Sequence, residues 1–451
     1  MPVLKKKRKA IAPAKMLALG FLTIIAVGAV LLSLPISSKS GNFTHFADAV
    51  FSSAAATCVI GMSLSDVYQY WSIFGQSVIL LMMQIGGLGF ITLVTFFNLA
   101  IGKKLGFSEA LNAGNGLTMN GLSATKKLFT RIVAFSFAVE FAGACLYMIR
   151  LVPKYGGYGF FMSFFTSVSA FCNAGFDLFG IEGAGTGMSI YKDDPYMLMV
   201  TAILIIIGGL GFVVWEDLIA YRRTKKLSLH TKVVLIATAI LLVGSTITYL
   251  IIQASEPQLF GEYSFGQRLM TSFFAAVSAR SAGFTAAPLP TASSFSKMFT
   301  ILLAFIGAAP GSTGGGIKVT TIAILFATAW SVLKGREDTQ MMKHVVSKHV
   351  VYKTLTILCL SLVFIITGFF VVHLLNMEWD SMDVFYEVIA CFSTAGFTSG
   401  LAEGSDHITR LILSFIMFAG RIGPVSFMLS FTGKGSKSKS EILPYGEIMV
   451  G

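Results

Sequence analysis

Four glycines, Gly61, Gly175, Gly283 and Gly396, each close a short segment of one design. The segments read FSSAAATCVIGM from Phe51 to Met62, FTSVSAFCNAGF from Phe165 to Phe176, FFAAVSARSAGF from Phe273 to Phe284, and YEVIACFSTAGF from Tyr386 to Phe397. Ten residues before each glycine stands an aromatic: Phe51, Phe165, Phe273 or Tyr386. The glycines are 114, 108 and 113 residues apart. So constant a period marks a duplicated structural unit. The chemistry these segments offer belongs to the backbone. Glycine adopts backbone angles closed to other residues. A segment turned at such a point can aim carbonyl oxygens inward, and rings of carbonyls replace the hydration shell of a passing cation.

The candidate coordinating residues are Thr57, Cys58, Val59, Ile60 and Gly61 in the first repeat, and Phe171, Cys172, Asn173, Ala174 and Gly175 in the second. The third offers Ala279, Arg280, Ser281, Ala282 and Gly283, and the fourth Phe392, Ser393, Thr394, Ala395 and Gly396. Each carries one glycine, against two in the TVGYG loop, which implies fewer tight binding sites and looser selectivity. Arg280 would repel a cation if it faced the axis. It is expected to point into the supporting shell, with Glu387 as a candidate partner.

The elements that must hold these segments follow from composition. The chain has 451 residues, 55% hydrophobic and only 12% charged. Long apolar stretches run over 16–36, 71–101, 128–152, 197–221, 233–252, 298–333, 354–375 and 408–431. About 20 apolar residues cross a bilayer, so these predict eight spanning helices. The glycine-terminated segments are too short to cross and read as re-entrant pore helices. Non-helical backbone at membrane depth must be buried in protein or line a water-filled path. Four equivalent re-entrant segments therefore imply one pseudo-fourfold axis. A helix C-terminus is partially negative, so pore helices aimed at that axis favour a cation over an anion.

The net charge of +12 does not point to nucleic acid. Basic residues gather in Lys5–Lys9, Lys103-Lys104, Lys126-Lys127, Arg222-Arg223 with Lys225-Lys226, Lys343 with Lys348, and Lys434–Lys439. With alternating spans all of these fall on one side, opposite Asp66, Asp177, Glu182, Asp193, Asp194, Glu256, Glu262, Glu378, Asp380, Glu403 and Asp406. The positive-inside rule then places both termini in the cytoplasm. The N-terminal apolar run is too long for a secretory signal and reads as a retained span. The cysteines Cys58, Cys145, Cys172, Cys359 and Cys391 form no CxxC pair and read as small buried residues. No nucleophile or acid–base constellation appears, and the six histidines lack metal-ligand spacing. The chain is not expected to be an enzyme.

A second landmark follows each re-entrant segment: Ile85-Gly-Gly-Leu-Gly89, Ile207-Gly-Gly-Leu-Gly211, Ile306-Gly-Ala-Ala-Pro310-Gly311 and Ala419-Gly-Arg-Ile-Gly423-Pro424. Close helix packing is one reading of such glycines; the last two motifs contain proline and need more. In the third repeat Gly307, Ala308, Ala309, Pro310, Gly311, Ser312, Thr313, Gly314, Gly315, Gly316, Ile317 and Lys318 interrupt an apolar span. Proline and clustered glycine break a helix, and a loop below the filter can serve as a gate. It is no phosphate-binding loop, because Ile317 separates Gly316 from Lys318 and no strand precedes it. Arg421 is a rare charge inside a span. It is read as an electrostatic barrier, a donor to loop carbonyls, or half of a structural ion pair. Glu140, also intramembrane, is read as structural.

Four helix–pore loop–helix units, single filter glycines, the APGSTGGGIK loop and the AGRIGP segment resemble the Trk/Ktr/HKT superfamily of potassium transporters over essentially the whole chain. The KtrB-type membrane subunit is the nearest pattern, given eight spans and the short tail Tyr445–Gly451. The resemblance implies an all-α polytopic fold, with repeats over 1–102, 103–222, 223–334 and 335–433 and a cytoplasmic tail over 434–451. It implies a homodimer in the bacterial plasma membrane that binds a cytosolic octameric RCK/KtrA-type ring. That ring would carry the nucleotide, with ATP activating and ADP inactivating, and could dock on basic loops such as 334–353. K+ uptake, often Na+-dependent, is the implied activity. The family's filter glycines fall on Gly61, Gly175, Gly283 and Gly396, its gate loop on Gly307–Lys318 and its gate arginine on Arg421. Ile60 stands where threonine is commoner, which bears on ion preference. The rival readings are a Na+-preferring or poorly selective transporter of the same fold, the ion-translocating subunit of an ATP-driven K+ pump, and a membrane-embedded enzyme.

Overall fold

The computed structural model describes residues 13–100, 122–288 and 291–431. The basic runs Lys5–Lys9, Lys103-Lys104 and Lys434–Lys439, and the tail, lie outside the described residues, as do the side chains of Lys126 and Lys127. Four times along the chain a long helix is followed by a short one and then by an interrupted one. The long outer helices are Pro13–Ser33, Leu122–Tyr155, Leu229–Ser255 and Lys348–Leu375. At 1.5 Å per residue, a helix of 27 or 28 residues extends about 40 Å, beyond the ~30 Å hydrocarbon core. Their outward faces carry exposed apolar side chains such as Val30, Phe141, Ile240 and Phe370. A face this apolar is stable against lipid rather than water.

The short pore helices are Phe46–Cys58, Gly157–Cys172, Phe265–Ser278 and Ser381–Ser393. With 13 to 16 residues each, they cannot cross a bilayer. Their starts are fixed by local chemistry. Ser264 and Gln267 form a reciprocal capping box, and Asp380 accepts from the Met382 amide. Their bodies are core. Phe51, Phe165 and Tyr386 are fully buried; in the third repeat Phe274 is buried and the aligned Phe273 only partly so.

The inner helices are interrupted in all four repeats, beyond the one interruption expected at Gly307–Lys318. Ile73–Ala100 is non-helical at Gly89. Pro195–Leu210 and Phe212–Thr224 meet at 94°, and His407–Ile422 and the helix from Pro424 at 102°. Ser294–Ile306 and Val319–Leu333 flank the third break. Among the described residues, four helices are long and apolar enough to cross a membrane, or six if each bent pair is one span. The cause is backbone geometry: Gly89, Gly211, Gly307 and Gly423 have φ of 65°, 92°, 65° and 86°. All four start a break, so the third motif aligns through Gly307 with the last glycine of the others, not the first.

The first glycine of the first, second and fourth motifs does pack helices. A Cβ on Gly86 would lie 1.9 Å from Thr57 O, one on Gly208 1.9 Å from Phe171 O, and one on Gly420 2.0 Å from Phe392 O. The inner helix therefore presses its backbone against the end of the pore helix. A hairpin pairing Gln340–Met341 with His344–Val345 is the exception to the all-helical expectation. The described cysteines are all free; Cys58, Cys172 and Cys391 are buried, whereas Cys145 and Cys359 are exposed.

A closed ring of four glycines and the loop beneath it

Each pore helix ends in a residue pattern that alternates backbone handedness. Val59, Asn173, Ser281 and Thr394 have φ of 60°, 60°, 80° and 52°, and the glycines two residues on have 76°, 78°, 78° and 80°. The residue between has ordinary negative φ. Left-handed Val and Thr are strained, at a cost of order 1–3 kcal/mol each. In three repeats the turn is closed by a bond spanning five residues: Ile60 N–H to Ala55 O, Ala174 N–H to Ser169 O, and Ala395 N–H to Ala390 O. In the third, Ala282 N–H reaches Ser278 O instead.

The four segments meet. A Cβ on Gly61 would lie 2.3 Å from Ala174 O, and one on Gly175 2.4 Å from Ala282 O. One on Gly283 would lie 3.0 Å from Ala395 O, and one on Gly396 2.1 Å from Ile60 O. Each glycine thus abuts the carbonyl of the next repeat, and the fourth returns to the first. Only a residue without a side chain fits, and the polar atoms gathered there are carbonyl oxygens.

The segment Gly307–Lys318 lies against this ring. Its own backbone is satisfied by the second repeat: Ala309 and Thr313 amides donate to Gly209 O at 3.0 Å and Gly208 O at 3.2 Å, and Phe212 N–H donates to Gly311 O at 2.9 Å. Thr313 Oγ1 donates to Phe171 O at 3.0 Å. Gly315 N–H donates to Ser281 Oγ at 2.8 Å, and that hydroxyl donates to Thr394 O at 2.8 Å. Lys318 holds a strained φ of 91°, and its ammonium donates to Gly314 O at 2.6 Å. Arg421 reaches from the fourth repeat, donating to Thr313 O at 2.6 Å and to Gly86 O. Of the readings open in the sequence, this geometry is that of a donor to loop carbonyls. No carboxylate pairs with Arg421 among the described residues. Sequence reasoning missed Ser281 and Thr313 as links; a hydroxyl in a filter segment gives no hint of which loop it meets.

The expected Arg280–Glu387 pairing resolves differently. Arg280 is buried, lines a small cavity with Asn173, Thr238 and Leu242, and donates to Gly307 O at 3.4 Å. Glu387 is not its partner. That carboxylate accepts from Thr398 Oγ1 at 2.9 Å, Ser399 N–H at 2.7 Å and Ser399 Oγ at 3.0 Å. Its acceptor capacity is filled by the turn after its own filter segment. Glu140 accepts from Gln84 Nε2 at 2.9 Å, tying the first inner helix to the second outer one. Beyond the second filter segment, burial pushes the Asp177 carboxyl up to about 7; the Phe179 amide opposes the rise and the Asp66 carboxylate adds to it.

Long apolar outer helices and four short helices converging on a backbone ring are the architecture of a multi-pass membrane protein. Comparison with known proteins agrees. The profile of the TrkH cation transport protein family matches residues 9–440, and the chain belongs to that family. It is 33% identical over the full length of both chains to the potassium/sodium uptake protein NtpJ of Enterococcus hirae. It is 35% identical to the Ktr system potassium uptake protein B of Bacillus subtilis, over 97% of each chain. The crystal structure of the potassium transporter TrkH from Vibrio parahaemolyticus superimposes with a TM-score of 0.74 at 17% identity, covering 94% of this chain and 86% of that one. That likeness concerns the fold.

Proposed function

We propose that this chain is the pore-forming subunit of a K+ uptake system. K+ passes through the four-glycine ring, and the Gly307–Lys318 loop gates the path from the basic-loop side. The observation that carries the reading is the closed ring of glycines, each against the next repeat's carbonyl. Backbone carbonyls at this density coordinate a dehydrated monovalent cation and need no acid–base residue. The names of the Enterococcus and Bacillus relatives support K+ as cargo, and the first also supports Na+. The energy source is an inside-negative membrane potential, ~2.3 kcal/mol per charge per 100 mV or about fifty-fold accumulation. With the basic loops inside, both termini are cytoplasmic and the ring's acidic-loop mouth faces out.

We further propose that the chain works as a homodimer on a nucleotide-binding regulatory ring, since the Bacillus relative is named as one part of a Ktr system. The test is growth of a K+-uptake-deficient bacterium at low K+, with and without a ring protein. The intact chain restores growth; Gly175→Ser and Gly283→Ser, correctly inserted, abolish it. Growth restored equally by both variants refutes the filter assignment, and Na+ uptake in place of K+ refutes the cargo.

A further inference from the structure

The six histidines show no ligand spacing in sequence, yet folding brings two of them onto one carboxylate. We propose that His45, Asp48 and His407 form a transition-metal site on the acidic-loop face, taking Zn2+ or a similar borderline divalent ion. One nitrogen from each imidazole and one carboxylate oxygen lie within 4.8 Å of one another. His407 Nδ1 sits 3.2 Å from Asp48 Oδ1. The two imidazoles stack with centroids 3.8 Å apart at 16°. Both histidines are exposed and Asp48 is half-buried, so an ion has access and the rings have room to turn their lone pairs toward it.

The positions are held from behind. His45 precedes the first pore helix and accepts from the Ala47 amide at 3.3 Å, and Asp48 lies in that helix's first turn. His407 opens the fourth inner helix. Arg410, one turn later, donates to Asp48 Oδ1 at 2.8 Å and is itself anchored on Ala402 O at 3.0 Å and Glu403 O at 2.8 Å. The Arg410 pair accounts for Asp48 alone. Each imidazole also has a local partner, the Ala47 amide for His45 Nδ1 and Asp48 Oδ1 for His407 Nδ1, so metal binding exchanges the long 3.3 Å cap bond of His45 for a ligand bond; histidine is not a preferred N-cap. Two imidazoles and one carboxylate, with water in the fourth position, make an open tetrahedral zinc set. Mg2+ and Ca2+ prefer all-oxygen sites and are excluded by the same donors. The Arg410 guanidinium orients the carboxylate while its charge limits affinity. A bound ion staples the start of the first pore helix to the start of the helix that carries Arg421.

The experiment reads binding, not transport, so it stands apart from the K+ assignment. The full chain, purified in detergent without a polyhistidine tag, is titrated with ZnCl2 by calorimetry and followed by thermal unfolding, with MgCl2 as control. One saturable Zn2+ per chain, a raised Tm and no response to Mg2+ are expected. His45→Gln or His407→Gln weakens the site at least about ten-fold, as losses around metal sites commonly do. Zinc-edge X-ray absorption of the unaltered chain is independent of any variant's folding; it shows nitrogen and oxygen ligands only. No saturable Zn2+, unchanged affinity in both variants, or a sulfur ligand overturns the proposal.

Discussion

The second and third inner helices break at equivalent glycines and then diverge. At Gly211 the chain turns through one residue and resumes as Phe212–Thr224, bent by 94°. At Gly307 it leaves the helix and does not resume until Val319. The first break redirects a helix. The second releases a segment whose amides, hydroxyls and carbonyls must find partners at membrane depth. They find them in the second repeat's broken end, in Ser281 and in Arg421. The short break thus supplies Gly208 and Gly209 carbonyls that the long break uses. One repeat carries the unwound segment, and a neighbour provides its seat.

The largest effect comes from removing the difference. Deletion of residues 311–316 makes the third break resemble the second, and raises K+ flux into liposomes well above that of the intact chain. Unchanged or lower flux in folded protein would show that the loop is a brace and not a gate. Next is Arg421. Two hydrogen bonds from a charged donor contribute about 1.5–3 kcal/mol each. Arg421→Ala is expected to raise basal flux about ten-fold or more, the equivalent of at least ~1.4 kcal/mol in loop position. Arg421→Lys separates two mechanisms: it behaves like Ala if the arginine clamps two carbonyls, and like the intact chain if charge alone forms the barrier.

Ser281→Ala is smaller. It strands the Gly315 amide, at about 1–3 kcal/mol, and lowers the Tm without touching the second repeat's contacts. Thr313→Val removes the matching bond to Phe171 O, and equal losses in the two variants would mean that both seats hold the loop alike. The smallest effect lies on the second repeat's far side. Asp177 has a carboxyl raised to about 7 chiefly by burial, above its ordinary unfolded value near 3.9. Its contribution to stability is therefore full in acid and lost as pH rises through 7. Relative to Asp177→Asn, the intact chain should lose Tm between about pH 4 and pH 7 and change little above that. A constant difference would place the ionisation elsewhere.

Much of this arrangement was legible in the residues. The period of the four glycines is set by chemistry that tolerates no side chain, so it survives as a pattern. Pro310 with its glycines announces the third break because proline cannot continue a helix. Pro424 gives the same signal beside Gly423, whereas Gly89 and Gly211 announce nothing comparable. A glycine three residues away packs against the pore helix in each case, and sequence cannot tell a packing glycine from a left-handed one. The misregistered third motif has the same origin: Ala304 stands where the others have the packing glycine. Arg280 and Glu387 look complementary as charges, yet Ser399 and Thr398 satisfy the carboxylate first. His45 and His407 sit 362 residues apart, and only the meeting of the first and fourth repeats joins them.

The ring joins each quarter to the next, with the last returning to the first. Four separate identical subunits could build such a ring, but each would then bring its own loop, and four loops would compete for the ground under one axis. Linking the quarters in one polypeptide lifts that symmetry. A single quarter is free to lengthen its break while another shortens its own to receive it, and one asymmetric loop is seated under a fourfold ring.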